Sequence, residues 1–539
     1  MFPKWLIILF CGIVVYITCF YQLGNLTFIG ADEPRYARIG EEMNLGGNYV
    51  TPTLDYHPWL EKPPLLFWLE AVSFKFFGVQ EWSARFPIAL LAVGTLLSVG
   101  AFVDVWGSRR SAVLSLLVLC TSGLFFIYAR TANTDMPLAA MLTIAMVSGL
   151  QATRSNSCWW AAVSGVALSL SVLSKGPVAV ILWGGTFAIY FLLRRRLEWS
   201  LMQIFVLTSA FMIAVSPWFW AVWKENGFVF LAVFLVNHHL ARFLTDIHHH
   251  WQPLWFYLPV LGVGFFPWVV FLGTALHRIW QRRSDFLADH CRGELFLWLW
   301  AAIPFIFFSL SQSKLAGYLL PAIPPLAAIV GLEWDRWLKG DSLNDRTVRG
   351  QLVFLVSLTC VITGVLVYGF YAVYQVPTTG ILLVLPIVIS VGWACWEYRR
   401  RRLLRVFFSL VSGMTLFVAL TFWKAAPVLG SYHSARDIVL SVKPLLSPHS
   451  PLVLYRYSHH TADYYTGYLT SREPLLNPES LRDYFHKNPQ DRYYILTQES
   501  GWQDLRLLSH ARLLSQHGNL YLVEMLSNSG RMGLLGSSQ

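Results

Sequence analysis

Charge is scarce in this chain of 539 residues. Asp, Glu, Lys and Arg make up 13% of it, against 55% hydrophobic residues and a mean hydropathy of +0.49. A soluble domain carries about 25% charged residues, so an ordinary soluble protein of this size is excluded. Cysteine is sparse as well. Cys11, Cys19, Cys120, Cys158, Cys291, Cys360 and Cys395 lie in or beside apolar runs, form no CxxC pair, and none follows Cys395. Neither a disulfide framework nor a zinc-thiolate site is indicated. The sequence also shows no repeat of solenoid period and no nucleotide-sugar fingerprint.

Aromatic and apolar residues are abundant instead. The 24 Trp and 23 Tyr suit a chain with many membrane–water interfaces, where amphipathic rings sit at headgroup level. Trp5 to Tyr21 follows Lys4 as a signal peptide would, yet lacks a small-residue cleavage site and reads as an uncleaved first helix. Further apolar runs cover 81–104, 111–128, 134–152, 158–173, 177–193, 200–223, 254–276, 294–310, 318–335, 351–375, 379–397 and 403–423. A span needs about 20 apolar residues, so the fold class is a polytopic α-helical membrane protein with about thirteen transmembrane helices. The stretch 65–78 is borderline in length.

Lys and Arg recur in alternate loops, at Arg109-Arg110, Arg154, Arg194 to Arg196, Arg278 to Arg292, Arg336 to Arg349 and Arg399 to Arg402. Positive residues stay inside, which predicts a cytoplasmic N-terminus. The net charge of +11 then reflects membrane anchoring rather than nucleic-acid binding. The outer face receives 25–80, Tyr128 to Asp135, Ser174 to Pro177, 224–253, Ser311 to Tyr318 and everything after about 424. The domains expected are therefore a membrane domain over 1–423, a periplasmic α/β domain over 424–526, and a Gly/Ser-rich, disordered tail over 527–539. Strand-like runs at 451–455, 492–497 and 520–525, with helical patterns near 479–487 and 502–515, carry the α/β reading.

The outer loops hold the charges that anchoring does not explain. Asp32-Glu33-Pro34 reads as a helix start, with Asp32 a cap and Pro34 in the first turn, and Gly46-Gly47 as its end. A cap is the plainer reading of Asp32; the adjacent Glu33 and the second acidic element at Glu61 point toward catalysis. In Glu61-Lys62-Pro63-Pro64 the lysine suits a phosphate at headgroup level, while Glu61 holds the lysine or a metal ion. The plainer alternative there is an interfacial ion pair. Asp135 enters a membrane helix from outside, beside Arg130, at a depth where a carboxylate usually faces protein or a cavity. In 224–253, His238 and Arg242 share a helix face, and His248 to His250 follow. A divalent metal, Zn or Mg, on Glu61 with His238 or His239 is one reading, and interfacial polarity the other. Lys314 and Tyr318 add a cation and a phenol at another outer helix entrance, where snorkelling and aromatic anchoring are the plain alternative.

The order ADEPRYA, EKPPLLFWL, ARTANTDM, SKGP, HHLARF with HHHWQPLWFYLPV, and SKLAGYLLP resembles the bacterial aminoarabinose (4-amino-4-deoxy-L-arabinose) lipid A transferase family. That family is itself similar to the protein O-mannosyltransferases of the GT-C glycosyltransferase class. The motifs cover roughly residues 1–330; the remaining helices and the tail agree in layout. The resemblance implies a donor sugar carried on undecaprenyl phosphate and no nucleic-acid partner. It implies catalytic carboxylates at Asp32 and Asp135, a donor-phosphate site of Lys62, Arg242 and Tyr318, and a metal near Glu61 with His238 or His239. Pro34 departs from many relatives, which affects the local loop shape.

Chemically, Lys62, Arg242 and Lys314 can stabilise charge developing on a phosphate leaving group. A lipid A phosphate acceptor is already ionised and needs scarcely any base, so Asp32 would position the amino sugar or the oxocarbenium-like centre. A hydroxyl acceptor on a protein or other glycan would instead use Asp32 as base. A transporter of lipid-linked sugars would place ionisable groups near the midplane and show repeated broken helices. The distinctive charges lie at outer helix ends, which favours an enzyme of the inner membrane.

Overall fold

The computed structural model describes residues 3–234, 251–281, 287–341, 345–457, 460–471, 475–508 and 510–526. Two compact units emerge: Met1–Leu23 with Ile39–Phe422, and Gly24–Arg38 with Trp423–Gln539.

The first unit is helical and begins with α1 (Lys4–Cys19), α2 (Asp32–Gly46, of which residues 32–38 belong to the second unit), α3 (Leu65–Phe77), α4 (Glu81–Trp106), α5 (Arg109–Cys120), α6 (Gly123–Tyr128), α7 (Asp135–Ser155), α8 (Cys158–Lys175), α9 (Val178–Arg194) and α10 (Leu201–Leu231). Among the described residues nine helices are long and apolar enough to cross a bilayer, and α1 and α9 are shorter apolar helices. The chain is a multi-pass membrane protein. Two of the expected spans are not single rods. The run 254–276 becomes two pieces, Leu254–Gly264 and Trp268–Gln281, bent by 108°. The run 111–128 breaks between α5 and α6, where Thr121 and Ser122 hydroxyls donate to the Leu117 and Val118 carbonyls, both at 2.6 Å. Such back-bonding competes with the helical ladder, and the Trp268 indole donates to Thr121 Oγ1 at 2.9 Å and holds the break. α3 has 13 residues, too few to span alone.

Close helix approach uses small residues. A Cβ on Gly165 of α8 would lie 2.3 Å from the Leu207 carbonyl oxygen of α10, and one on Gly331 would lie 2.1 Å from Ser115 Oγ of α5. Without a hydrophobic drive between helices in lipid, such backbone approach supplies the packing. The basic loops that the charge count assigns to one face are tied together by buried acids. Arg110 of α5 pairs with Asp335, Arg278 makes a fork of hydrogen bonds to Glu333 at 2.8–3.1 Å, and Arg292 and Arg194 both pair with Glu198.

The first unit holds a two-stranded ribbon, β1 (Thr53–Leu54) and β2 (His57–Pro58); in the second unit β3 (Leu452–Tyr455), β4 (Arg492–Gln498), β5 (Ala511–His517) and β6 (Leu520–Leu526) form one sheet in the order β3-β4-β6-β5. β3 runs parallel to β4 across the Pro478–Lys487 helix; the other pairs are antiparallel. Val453, Tyr455, Phe485, Tyr493, Ile495 and Val523 make the core. The three expected strands form, but the helical pattern near 502–515 does not persist. Only Glu499–Leu505 is helical, and Ala511–His517 is an edge strand turned back on β6 at Gly518, whose φ is +57°. The exposed Leu513-Leu514 pair mimicked an amphipathic helix; pairing with β6, with a register shift between Leu513 and Ser515, overrode it. Residues 24–38 fold with this unit. The Phe28 amide donates to Tyr465 Oη at 3.0 Å, and the Arg38 guanidinium lies 4.5 Å above the Tyr468 ring. The expected disordered tail 527–539 lies outside the described residues.

Candidate functional site

Three segments distant in sequence meet in the first unit. α7 opens at Asp135, whose amide is held by Asn133 Oδ1 at 3.0 Å, an Asx-type turn that sets the entry of the helix. α8 ends at Lys175, followed by Gly176 at φ +87° and Pro177, which stop the helix and leave the lysine at its mouth. Lys175 Nζ pairs with Asp135 Oδ1, and the side chains are 16% and 14% exposed. The same ammonium lies 4.4 Å above the ring of Tyr318, which packs on Phe308 at 5.2 Å. Glycine is required at 317 because a Cβ would sit 2.5 Å from the Tyr128 hydroxyl. The result is a carboxylate, an ammonium and a phenol ring gathered where three helical segments begin or end. The charge pair polarises the ring face, a cation–π contact that strengthens when desolvated.

Lys62 and Glu61 stand just before α3. Lys62 is buried, with Nζ 3.4 Å from the Glu61 carbonyl, and Pro63 and Pro64 fix the start of the helix. The loop before them is tied to α10: Thr51 Oγ1 donates to Glu225 Oε2 at 2.5 Å, Asn226 Nδ2 donates to Thr51 Oγ1 at 2.7 Å, and the Trp218 indole donates to the Val50 carbonyl at 2.9 Å. α10 kinks directly after this contact, at Gly227 with φ +59°.

Other residues take roles that their types alone do not reveal. Lys314 is buried, and its ammonium donates to the Ser311 and Gln252 carbonyls at 2.5 and 2.8 Å, which ties down the loop before Tyr318. Burial pushes its pKa below the ordinary lysine value. Arg130 donates to the carbonyls of Ile17, Thr18 and Tyr21 and lies 3.7 Å above Phe422. It satisfies the open C-terminal end of α1, a structural task.

Asp32 and Glu33 open α2 in the second unit. Asp32 is 54% exposed and accepts from Arg35 Nη2 at 2.6 Å, while Glu33 is buried. His238, His239 and Arg242 lie outside the described residues. Among the described residues no three His, Cys, Asp or Glu groups gather as a metal site. The histidines that would complete a metal site with Glu61 lie outside them.

Of the residues the sequence singles out, the structure brings Asp135 and Tyr318 together through Lys175, and neither Lys175 nor Glu225 carries a role in the sequence alone. The signal for Lys175 was its place before Gly176-Pro177, at a helix stop on the same face as Asp135.

Residues 61–223 match the family model described as dolichyl-phosphate-mannose-protein mannosyltransferase. The chain is 28% identical over 433 residues to the undecaprenyl phosphate-alpha-4-amino-4-deoxy-L-arabinose arabinosyl transferase of Pectobacterium carotovorum, covering 77% of this chain and 75% of that one. A counterpart in Pseudomonas fluorescens is 29% identical over 409 residues, covering 74% and 67%. The crystal structure of ArnT from Cupriavidus metallidurans bound to undecaprenyl phosphate superposes with a TM-score of 0.79 at 23% identity, covering 97% of this chain and 98% of that one. The fold is that of the ArnT structure, a polytopic helical membrane architecture with a small sheet-containing unit after the last helices. In sequence the chain is similar to the bacterial undecaprenyl phosphate-aminoarabinose arabinosyl transferases, the resemblance that its motif order carries.

Proposed function

We propose that this protein moves an aminoarabinose-type sugar from undecaprenyl phosphate to a phosphate of lipid A at the periplasmic face of the inner membrane. The observation that carries the reading is the similarity over 77% of the chain to relatives named for that donor sugar. The placement of the charges at helix mouths supports it, because a lipid tail stays in the bilayer while its phosphate and sugar reach such a mouth.

In this reading the acceptor phosphate oxygen attacks the anomeric carbon, the bond from that carbon to the donor phosphate oxygen breaks, and undecaprenyl phosphate leaves with the electron pair. Lys62, with Arg242, neutralises the negative charge that grows on the leaving phosphate. Lys175 pairs with Asp135 and fixes its carboxylate at the site entrance, where it attracts the amino group of the sugar. Asp32 positions the sugar or its oxocarbenium-like centre, with Glu33 beside it at the helix start. Tyr318 supplies an aromatic wall near the lipid phosphate. Lys314, already engaged by two carbonyls, acts by holding the loop that presents Tyr318. The N-terminus is cytoplasmic, and the site loops and the second unit are periplasmic, in keeping with the Lys/Arg distribution.

The match of residues 61–223 to the mannosyltransferase model favours a second acceptor class, a hydroxyl on a protein or other glycan, with Asp32 as base. Mass spectrometry of lipid A, glycoproteins and surface glycans from cells with and without the protein separates the two. A pentosamine-sized mass difference confined to lipid A is expected; one confined to glycoproteins or another glycan moves the assignment to the second class.

A further inference from the structure

Glu42, Trp68 and Glu225 stand on three helices of the first unit, α2, α3 and α10, and all three hold the same short stretch of chain, residues 48–60. The stretch carries the ribbon of β1 and β2, whose register pairs Thr53 with Pro58 and Leu54 with His57 and leaves Asp55-Tyr56 as a two-residue turn. Both turn residues have positive φ, 54° and 60°, a conformation usually given to glycine or asparagine. The Glu42 carboxylate offsets that cost by accepting from Thr53 Oγ1 at 2.7 Å and from the Tyr56 amide at 3.0 Å. From α3 the Trp68 indole donates to the Tyr49 carbonyl at 2.8 Å.

The tie to α10 is the most specific of the three. Thr51 is buried, and its hydroxyl donates to Glu225 Oε2 at 2.5 Å while it accepts from Asn226 Nδ2 at 2.7 Å. An ionised carboxylate can only accept and an amide nitrogen only donate, so the hydroxyl has one orientation. Beside it the Trp218 indole donates to the Val50 carbonyl at 2.9 Å. The same indole meets the Phe230 ring edge-on at 5.7 Å, so the anchor includes groups on both sides of the Gly227 kink.

The stretch leads directly to Lys62. Thr51 precedes Pro52, whose carbonyl takes the Trp59 amide at 2.8 Å, and the buried Trp59 ring packs edge-on against Phe67 of α3 at 5.8 Å. Lys62 follows Trp59 after Leu60 and Glu61, and Pro63 and Pro64 fix the backbone on its other side. A continuous run of bonded and packed groups therefore joins Glu225 to the backbone of Lys62.

We propose that Thr51 and Glu225 are positioning residues for the donor phosphate, their hydrogen bond fixing the backbone that carries Lys62. This role rests on Lys62 meeting that phosphate in the proposed reaction. The attraction of an ammonium for a phosphate falls with distance, and a misplacement of about 1 Å caused far from the reacting atoms can cost about 10²-fold in rate. Neither Thr51 nor Glu225 touches the donor in this role; both act through Lys62.

The test measures retention of undecaprenyl phosphate, and separately of uncharged undecaprenol, by the full chain in mild detergent with native mass spectrometry. Thr51→Val keeps the side chain's shape and changes no charge. It should weaken undecaprenyl phosphate retention about fivefold and leave undecaprenol unchanged, whereas Thr51→Ser, which keeps the hydroxyl, should bind as the wild type does. Trp218→Phe, which removes the indole donor and keeps a ring, should act in the same direction as Thr51→Val. Lys62→Ala should cost about tenfold, and Thr51→Val should add nothing in that background, because non-additivity marks residues that act through one another. An equal further loss from Thr51→Val in the Lys62→Ala background would make the network merely structural and overturn the proposal. Wild-type retention in Thr51→Val and Trp218→Phe beside a weakened Lys62→Ala would overturn it too, while leaving the donor-phosphate reading in place. Unchanged retention in Lys62→Ala would overturn that reading itself, and this role with it.

Discussion

Lys175 and Asp135, 40 residues apart, meet as an ion pair between the last residue of α8 and the first of α7, with the Tyr318 ring against the ammonium. Removing one member of a mostly buried pair leaves the other charge poorly compensated. Asp135→Asn is expected to destabilise the protein by about 3 kcal/mol, and Asp135→Asn with Lys175→Gln by less than Asp135→Asn alone. Thermal unfolding in detergent measures both. Transfer should be lost in the double variant even where stability recovers, and full activity there would make the pair purely structural.

In the proposed reaction Lys62 meets the donor phosphate. Lys62→Ala should raise the KM for the undecaprenyl-phosphate sugar, and Lys62→Arg should restore part of it, because the role is charge on a phosphate. An unchanged donor KM in Lys62→Ala counts against that assignment.

Asp32 is exposed and its partner Arg35 lies one turn along the same helix. Exposed pairs contribute ~0–1 kcal/mol, so Asp32→Asn should leave unfolding and membrane insertion nearly unchanged. Transfer should fall by about 10²-fold or more. Retained turnover with the natural substrates removes Asp32 from the chemistry.

Gly331→Ala drives a methyl to within 2.1 Å of Ser115 Oγ and 2.6 Å of its backbone nitrogen. A cost of about 1–3 kcal/mol is expected from overpacking. Gly364→Ala, where nothing lies within 4 Å, should show no such loss and serves as the control in the same unfolding assay.

In the second unit Tyr521 donates to Glu499, and that bond, with Gln503, holds the Glu499 carboxyl below its usual value. A depressed folded pKa gives stability that is present above the unfolded value, about 4.3 for Glu, and is lost as pH falls through the lower folded one. Tyr521→Phe should weaken this acid-labile contribution. Hydrogen exchange of the 520–526 strand as a function of pH reads it: protection in the wild type should fall more steeply below about pH 4.3 than in the variant.

Much of the architecture was legible because it is written locally. Apolar runs of bilayer length, alternating basic loops, the strands at 452–455, 492–498 and 520–526, and the helix from Asp32 to Gly46 each depend on composition or short-range periodicity. The edge strand at 511–517 was not legible, since its leucines share a pattern with a helix face and only β6 decides between them.

The sequence by itself determined the class: a chain this apolar has to span a membrane repeatedly, and its motif order marks the glycosyltransferase relatives it resembles. Only the tertiary structure decided which charges act as partners and which as props. It paired Asp135 with Lys175, turned Lys314 into a loop anchor and Arg130 into the cap of α1, and broke or bent two of the expected spans. The physical reason is that a charge or hydroxyl in a low-dielectric setting takes its role from the nearest group that satisfies it, and that group lay tens to hundreds of residues away along the chain.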